Sequence, residues 1–370
     1  MFQLTLVCAA IQLTASIMSS LVVNKLSVLK IRQSEKSEKM PALSIIIAAQ
    51  NEAENLSKNI PEILKQNYTD FELIVINDRS IDETEEVLIS LEKRHSNFRF
   101  FNANPNDQFP GKKNALKTGI DNATSDYLVF TDADCIPASL DWLRHFGKSF
   151  NKGNQLVIGF GLFQKEDNLI NWLYRLDSIR IAIRYLTAAV LFRPYMAVGR
   201  SFGYTKTLFH EVNGFSTHEK IKSGDDDLFI QSIPLETKHD VVLEALTISQ
   251  TPKTLNEWIT QKKRHLEAGK SYSVKSLILL TIIDLSDFVS VFGLAYFLVN
   301  GNYFLLPILV LMVILRYLVH AVSVHNMQRV MCYESVPIKE IFLDAFMSLL
   351  NPLFSVASQL RHSKEWNRKK

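Results

Sequence analysis

The chain has 370 residues, of which 47% are hydrophobic and 21% are charged, and this composition excludes disorder for most of its length. The formal net charge of +3 is too small to indicate a nucleic-acid partner. The three cysteines are far apart and form no CxxC motif, which excludes a disulfide framework and a cysteine zinc site and is typical of a reducing cytosol.

The first predicted element is an uncharged apolar run from Phe2 to Val23. It is long enough, as a helix, to cross a hydrocarbon core of about 30 Å. No basic residue precedes it, whereas a cleaved signal peptide has basic residues there. We therefore expect an uncleaved membrane anchor, with the rest of the chain beginning in the cytoplasm. The basic residues that follow the run are Lys25, Lys30, Arg32, Lys36 and Lys39.

Strand-like runs then alternate with helical patterns. The predicted strands are Leu43–Ala48, Glu72–Asn77 and Tyr127–Thr131, and the predicted helices are Asn55–Gln66 and Asp82–Arg94. This alternation predicts an α/β fold with a mostly parallel sheet. In such sheets, ligands bind beyond the carboxyl ends of the strands.

Acidic motifs follow all three predicted strands. They are the segments 49–52, 78–82 and 132–134, and the last has the sequence Asp-Ala-Asp. One Asp-x-Asp alone is often only a turn, because loops are rich in aspartate. Three acidic strand ends in this order indicate a site where Mg²⁺ or Mn²⁺ stands between the protein and a diphosphate.

Two further motifs carry charge. Lys112 and Lys113 lie at a predicted helix start, where the helix N-terminus and the ammonium groups favour anions such as phosphate. Asp225, Asp226 and Asp227 precede a short apolar helix. They are either capping charges for that helix or a general base held near the metal site.

The C-terminal part contains two predicted spans, Leu277–Val299 and Tyr303–Val322. Asp284, Asp287 and Arg316 lie inside them at similar depth. A lone charge there is costly, so we expect these residues to pair. The alternative is a contact with the polar end of a lipid.

The last apolar stretch, Ile341–Leu360, is followed by the basic tail 361–370. A full span would place the tail outside the cell, against the positive-inside rule. A re-entrant or interfacial helix would keep it cytoplasmic, and we favour this interpretation.

At this point the motifs resemble those of the family 2 glycosyltransferases, which have a GT-A fold. The resemblance covers about Met40 to Lys270. It implies a nucleotide-diphospho-sugar transferase domain with N- and C-terminal transmembrane helices. The segments that carry it are Leu43–Glu52, Asn77–Asp82, Gly111–Leu116, Asp132–Asp134, Gly199–Phe215 and Gln261–His265.

The resemblance also implies roles for single residues. Asp225 is the expected catalytic base, with Asp226 as the second candidate, and Asp132 and Asp134 are the expected ligands of Mg²⁺ or Mn²⁺. We expect Asp78 near the nucleobase. The full set expected to bind the donor is Glu52, Asp78, Asp82, Lys112, Asp132, Gln261 and Arg264.

The motifs depart from the family pattern at three positions. Asn77 replaces the first Asp of its motif, and Gly224 replaces a Glu before the expected base. His265 replaces the Trp of the Gln-x-x-Arg-Trp motif, which weakens an inference of processive synthesis.

The domain organisation that follows has six parts. They are an N-terminal transmembrane anchor (1–24), a basic linker (25–40), a GT-A domain (41–255), a basic interfacial helix (256–275), a C-terminal membrane region (276–360) and a basic tail (361–370).

The implied function is a multi-pass, membrane-bound, inverting hexosyltransferase of the cell envelope with a cytoplasmic catalytic domain. The implied donor is a nucleotide-diphosphate sugar, with a UDP-sugar favoured, and the acceptor is a lipid or a lipid-linked molecule. The alternatives are a processive polysaccharide synthase and an inactive membrane protein that binds a nucleotide sugar. A nucleotidyltransferase is disfavoured because no Gly-rich loop follows the first strand.

Overall fold

The structure is a computed structural model that describes residues 1–31, 40–104, 111–221, 223–252, 254–301, 304–331 and 346–347. The chain divides into two compact units, each described here by itself. The helical unit comprises Met1–Ile31, Glu166–Leu191 and Pro252–Lys370, and the sheet unit comprises Arg32–Lys165 and Phe192–Thr251. The six-part organisation drawn from the sequence stays a prediction.

The sheet unit has one eight-stranded sheet among the described residues, in the order β3-β2-β1-β4-β7-β6-β8-β5. The strands are β1 (Leu43–Ala49), β2 (Phe71–Asn77), β3 (Phe98–Asn102), β4 (Tyr127–Phe130), β5 (Cys135–Pro137), β6 (Leu156–Phe163), β7 (Phe202–Thr205) and β8 (His239–Ser249). Strand β1 is parallel to β2 and β4, β2 to β3, and β6 to β8. The other three pairings are antiparallel. Parallel pairings are therefore the majority, and the prediction of a mostly parallel sheet in an α/β fold is confirmed.

The described helices differ greatly in length, from one and a half turns to more than seven. They are α1 (Phe2–Ile31), α2 (Ala53–Leu64), α3 (Thr84–Glu92), α4 (Lys112–Asn122), α5 (Trp142–Asn151), α6 (Leu169–Leu191), α7 (Lys206–Glu211), α8 (Asp227–Ser232), α9 (Leu255–Gly269), α10 (Val274–Asn300) and α11 (Leu306–Val330). Helices α1, α6, α9, α10 and α11 belong to the helical unit.

Close packing of α4 on the sheet orients the start of that helix. Gly119 of α4 lies so near the sheet that a Cβ there would approach Ile46 Cγ2 to 2.6 Å and Ile76 Cγ1 to 3.3 Å. The β-branched side chains of β1 and β2 are buried and form this surface. Glycine therefore lets α4 lie directly on two strands, and its first residue, Lys112, can reach groups at the edge of the sheet.

Three described helices, α1, α10 and α11, are long and apolar enough to cross a membrane. This confirms the predicted apolar segments, and α11 extends further along the chain than the predicted span. Apart from Phe346 and Met347, the predicted segment Ile341–Leu360 and the basic tail lie outside the described residues.

The charges of α10 pair with arginines of two different helices. Arg316 of α11 lies 2.9 Å from Asp287, and both side chains are buried, so this part of the expected pairing is confirmed. Asp284 instead pairs with Arg184 of α6, at 2.7 Å. The sequence prediction missed this partner, because Arg184 belongs to a helix that was considered separately from the spans.

Candidate active site

The loops after β1 and β2 are joined by reciprocal hydrogen bonds. The Asn51 N–H donates to Ser80 Oγ at 2.9 Å, and the Ile81 N–H donates to Asn51 Oδ1 at 2.8 Å. Asn51 and Arg79 have φ values of 55° and 58°, a conformation that asparagine adopts more readily than most residues. These hydrogen bonds thus hold the two acidic loops, after β1 and after β2, against each other.

Asn77 has a structural role that accounts for an amide at this motif position. Its Oδ1 accepts from the Ser80 N–H at 3.2 Å, while its Nδ2 donates to Asn102 Oδ1 of β3 at 2.9 Å. A carboxylate at position 77 could not donate the second of these bonds.

Asp82 and Glu52 lie against the starts of α3 and α2. Asp82 Oδ2 accepts from the Ala53 N–H at 3.3 Å, and its Oδ1 accepts from the Thr84 N–H at 3.2 Å. Glu52 Oε2 accepts from Asn55 Nδ2 at 2.6 Å. These bonds show that both carboxylates help to shape the loops, and their role in donor binding stays a prediction.

Asp78 is the buried carboxylate of this region, with 2% of its surface exposed. Its Oδ1 accepts from Arg79 Nε at 2.9 Å, whereas its buried Oδ2 has no hydrogen-bond partner among the described residues. Leaving such an oxygen unpaired is costly, so a ligand that offers an N–H group would be favoured here.

Lys112 links two of the predicted motifs. Its Nζ lies 2.9 Å from Asp132 Oδ1 and 2.8 Å from Asp225 Oδ2. Burial alone would lower the pKa of Lys112, but the charges of Asp132, Asp225 and Asp226 outweigh it and raise the pKa above its usual value. The structure therefore brings the Asp-Ala-Asp motif, the start of α4 and the acidic segment before α8 into one site.

The metal-ligand candidates fit a hard cation. Ligand atoms of Asp132, Asp134 and Cys135 lie within 4.8 Å of one another. Burial, together with Asp134 and Asp132, raises the pKa of the Cys135 thiol well above its usual value. Sulfur is also a soft ligand, which Mg²⁺ and Mn²⁺ do not favour. The two carboxylates are left as the oxygen donors that Mg²⁺ and Mn²⁺ prefer.

Asp226 differs from Asp225 in its contacts. Its Oδ2 accepts from the Gly199 N–H at 2.6 Å, and its Oδ1 accepts from the Asp227 N–H at 2.8 Å, which confirms a capping contact at the start of α8. Burial and the neighbouring charge of Asp225 raise the pKa of Asp226 to about 6.

Lys113 is a buried lysine that the sequence reading treated only as part of a basic helix start. It is 6% exposed, and its Nζ donates to the carbonyls of His218 and Ile221, each at 2.8 Å. Burial lowers the pKa of Lys113 to about 8. Burial and the charge of Lys113 also lower the pKa of His218 to about 4. Neighbouring side chains of an α-helix point in directions about 100° apart. This rotation could have predicted from the sequence that two adjacent lysines do not share one environment.

Gln261 and Arg264 lie on α9 of the helical unit. Gln261 accepts from the Tyr174 hydroxyl of α6, and Lys262 lies 3.0 Å from Asp177 on the same helix. Gln261 and Lys262 therefore anchor α9 to α6 within this unit. The assignment of Gln261 and Arg264 to the donor site stays a prediction.

Comparison with known proteins assigns one part of the chain to a family. Residues 44–212 match the family model described as Glycosyl transferase family 2. The chain contains a family 2 glycosyl transferase domain. This confirms the resemblance noted in the motifs, because the matched range begins in β1 and includes the Asp-Ala-Asp segment.

Curated bacterial relatives match shorter parts of the chain. The poly-beta-1,6-N-acetyl-D-glucosamine synthase of Staphylococcus epidermidis is 33% identical over 99 residues, which are 27% of this chain and 23% of that protein. The GalNAc(5)-diNAcBac-PP-undecaprenol beta-1,3-glucosyltransferase of Campylobacter jejuni is 34% identical over 133 residues, 35% of this chain and 41% of that protein. The chain therefore spans less than half the length of either relative.

A solved structure supports the fold over nearly the whole chain. A mannosyltransferase from Pyrobaculum calidifontis, in complex with GDP-Man and Mn²⁺, aligns with a TM-score of 0.52 and 15% identity over 97% of each chain. The GT-A fold predicted for the family 2 domain is confirmed.

Proposed function

We propose that this protein is a membrane-bound inverting glycosyltransferase. It transfers a hexose from a nucleotide-diphosphate sugar to a lipid or a lipid-linked acceptor. The observation that carries the proposal is the contact of Lys112 with both Asp132 and Asp225. This contact supports the proposal because carboxylates able to hold a cation, an ammonium group and a carboxylate able to act as a base lie next to one another, and such groups can stabilise the charge of a departing diphosphate.

The donor end of the site is assigned to the first two strand ends. The unpaired Oδ2 of Asp78 accepts an N–H group of the nucleobase, and Glu52 and Asp82 shape the loops around it. A UDP-sugar is the favoured donor. A GDP-sugar is the main competitor, because guanine also presents N–H groups to a carboxylate.

Asp132 and Asp134 are assigned to a divalent cation, with Mg²⁺ or Mn²⁺ preferred for their oxygen ligands. When bound, the cation supplies positive charge next to the departing diphosphate. Lys112 adds a second positive charge at the same place, and its raised pKa keeps it protonated at every physiological pH.

Asp225 is assigned as the general base. It takes the proton of an acceptor hydroxyl while the hydroxyl oxygen forms a bond to the anomeric carbon and the bond from that carbon to the diphosphate oxygen breaks. The electron pair of the broken bond leaves with the nucleoside diphosphate. One displacement of this kind inverts the anomeric configuration, and no covalent sugar–enzyme intermediate forms.

A lipid or lipid-linked acceptor is supported by the helical unit and by one relative. Helices α1, α10 and α11 are long and apolar enough to hold the protein in a membrane. The Campylobacter jejuni relative is named for transfer to an undecaprenol-linked sugar. The positive residues after α1 support a cytoplasmic position for the family 2 domain.

A processive polysaccharide synthase is the second candidate. It is favoured by the similarity to the poly-beta-1,6-N-acetyl-D-glucosamine synthase of Staphylococcus epidermidis. The two candidates differ in their product, since single transfer adds one sugar to each acceptor and a synthase makes a chain.

The test is a transfer assay with the full chain in detergent. The enzyme is offered UDP- and GDP-sugars with Mn²⁺ and a bacterial lipid extract, with and without EDTA. We expect release of one nucleoside diphosphate, stopped by EDTA, with one sugar per acceptor in the lipid fraction. A long water-soluble product would instead identify a processive synthase.

Two variants complete this test. Asp225→Asn should abolish transfer, whereas Asp121→Asn should keep it, because Asp121 is an exposed residue that pairs across one turn of α4 with Lys117. No nucleotide release from any donor, by the wild type and by both variants alike, would overturn the proposal in favour of an inactive sugar-nucleotide binder.

A further inference from the structure

The turn at residues 198–201 is fixed to the sheet by a half-buried arginine, Arg200. Arg200 donates through Nη1 to the Leu162 carbonyl at 3.1 Å and to Ser249 Oγ at 2.7 Å, and through Nη2 to the Gly161 carbonyl at 2.9 Å. These partners lie on β6 and β8, the parallel pair in the second half of the sheet. The guanidinium group therefore holds the turn to two strands, and we call these hydrogen bonds the Arg200 clamp.

The next residue of the turn is held equally well. The Ser201 hydroxyl donates to the Ala245 carbonyl at 2.7 Å and accepts from Trp142 Nε1 at 3.1 Å. Ser201 and Trp142 are both fully buried. With residues 200 and 201 fixed in this way, the preceding residue of the turn has little freedom to move.

That preceding residue, Gly199, faces the acidic segment. Its N–H donates to Asp226 Oδ2 at 2.6 Å, while Asp226 Oδ1 accepts from the Asp227 N–H at 2.8 Å. Each oxygen of the Asp226 carboxylate thus accepts a backbone N–H. The carboxylate joins a rigid turn of the sheet to the first turn of α8.

Glycine at position 199 lets the turn come close to three charged groups. A Cβ at this position would lie 3.1 Å from Asp226 Oδ2, 3.3 Å from Lys112 Nζ and 3.5 Å from Asp225 Oδ2. Any side chain would therefore press on the groups that the proposed reaction uses.

We propose that Asp226 is a positioning residue, which holds Asp225 against the 198–201 turn while Asp225 alone takes the acceptor proton. The proposal rests on the function proposed above. It distinguishes two neighbouring carboxylates that the sequence leaves as alternative bases.

The physical reason is the crowding of like charge. Asp225 and Asp226 are adjacent and repel each other, and Gly224 before them has a φ of 83°, so the backbone enters the acidic segment through a bend that favours glycine. The two N–H groups bound to Asp226 oppose the repulsion and fix the segment. A catalytic group displaced by about 1 Å can lose about 100-fold in rate, so this contact matters for turnover.

The first arm of the test measures the contact without any substrate. Hydrogen exchange followed by mass spectrometry compares the wild type with Asp226→Asn, Asp225→Asn and the control Glu219→Gln. Glu219 is an exposed carboxylate on the same stretch of chain. We expect faster exchange in the peptides that contain Gly199 and Asp227 for Asp226→Asn only.

The second arm measures transfer. We expect Asp226→Asn to lower kcat about 10- to 100-fold, with the donor KM changed by less than about two-fold and with the fall in rate at low pH, which reports protonation of the base, still present. Asp225→Asn should abolish transfer.

Other outcomes overturn the proposal. Transfer that is kept by Asp225→Asn and abolished by Asp226→Asn would make Asp226 the base. Unchanged exchange at Gly199 in Asp226→Asn, or a wild-type kcat in that variant, would remove the positioning role. If the wild type transfers no sugar, the proposed function fails, and the exchange arm still decides whether Asp226 holds the turn.

Discussion

The two units of the chain compensate the charges of their side chains in opposite ways. In the helical unit, each carboxylate of α10 has its own arginine, Asp287 with Arg316 and Asp284 with Arg184. In the sheet unit, Lys112 contacts two carboxylates and lies in the field of a third, that of Asp226.

This difference distinguishes charges that pair for packing from charges that the proposed reaction uses. One-to-one pairs neutralise charge inside an apolar environment and need nothing more. Crowded carboxylates around one ammonium group leave negative charge uncompensated, and such a site favours a cation and perturbs the pKa values of its members. The predictions below test whether the crowded cluster serves chemistry and the paired charges serve stability.

The largest effect is expected at the candidate cation site. Asp134→Ala should lower transfer more than about 1,000-fold, because a bound cation supplies several kcal/mol of charge stabilisation to the departing diphosphate. The thermal midpoint should stay at the wild-type value, since Asp134 is partly exposed. Transfer assays with increasing Mn²⁺, beside thermal unfolding, check this. Wild-type turnover in the variant would remove the metal assignment.

The next effect concerns the ammonium group at the centre of the cluster. Lys112→Met should lower kcat/KM about 100- to 1,000-fold, the loss typical for removal of one charge-stabilising group from a reacting centre. Lys117→Met is the matched change on the same helix, where the lysine is exposed and pairs with Asp121. Equal activity of the two variants would show that Lys112 has only a structural role.

In the helical unit we expect a loss of stability and no specific loss of chemistry. Arg316→Met should lower the free energy of unfolding by about 3 kcal/mol, because it leaves Asp287 charged and buried without its partner. Arg184→Met should cost at most about 1 kcal/mol, since the side chains of Arg184 and Asp284 are 31% and 45% exposed.

Thermal unfolding in detergent, with kcat measured on the folded fraction, checks this pair of variants. The Arg316→Met loss should be partly recovered by adding Asp287→Leu, which removes the unpaired charge. A fall in kcat at unchanged stability would assign the buried pair a functional role and would weaken the contrast between the two units.

The smallest effect is a pH dependence near the acidic cluster. The folded-state pKa of His218 is lowered to about 4 from 6.5, so the unfolded chain takes up its proton first as the pH falls. The contribution of neutral His218 to the free energy of unfolding is therefore complete above pH 6.5 and is lost as the pH falls from 6.5 to 4. Between pH 7 and 5, the wild type should lose about 2–4 °C more in Tm than His218→Asn, a shift that corresponds to about 1 kcal/mol.

The exposed His210 of α7 supplies the comparison for this measurement. His210→Asn should follow the wild-type pH dependence. If His218→Asn and His210→Asn both lose stability in parallel with the wild type, His218 is not held neutral in the fold.

Much of the first half of the sheet was predictable from local pattern. The β-branched runs at β1, β2 and β4 predicted buried parallel strands, and the acidic motifs after them marked the site. The antiparallel strand β7 and the clamp of Arg200 on β6 and β8 were not predicted, because their pairing depends on residues far away along the chain.

By itself, the sequence determined the α/β class, the apolar helices and the residue types of the site, since periodicity and strand-end chemistry are local properties. Only the tertiary structure decided which charges meet. It placed Lys112 between Asp132 and Asp225, turned Lys113 inward, and paired Asp284 with Arg184. Partner choice depends on which elements pack side by side, and that is decided by burial summed over the whole unit.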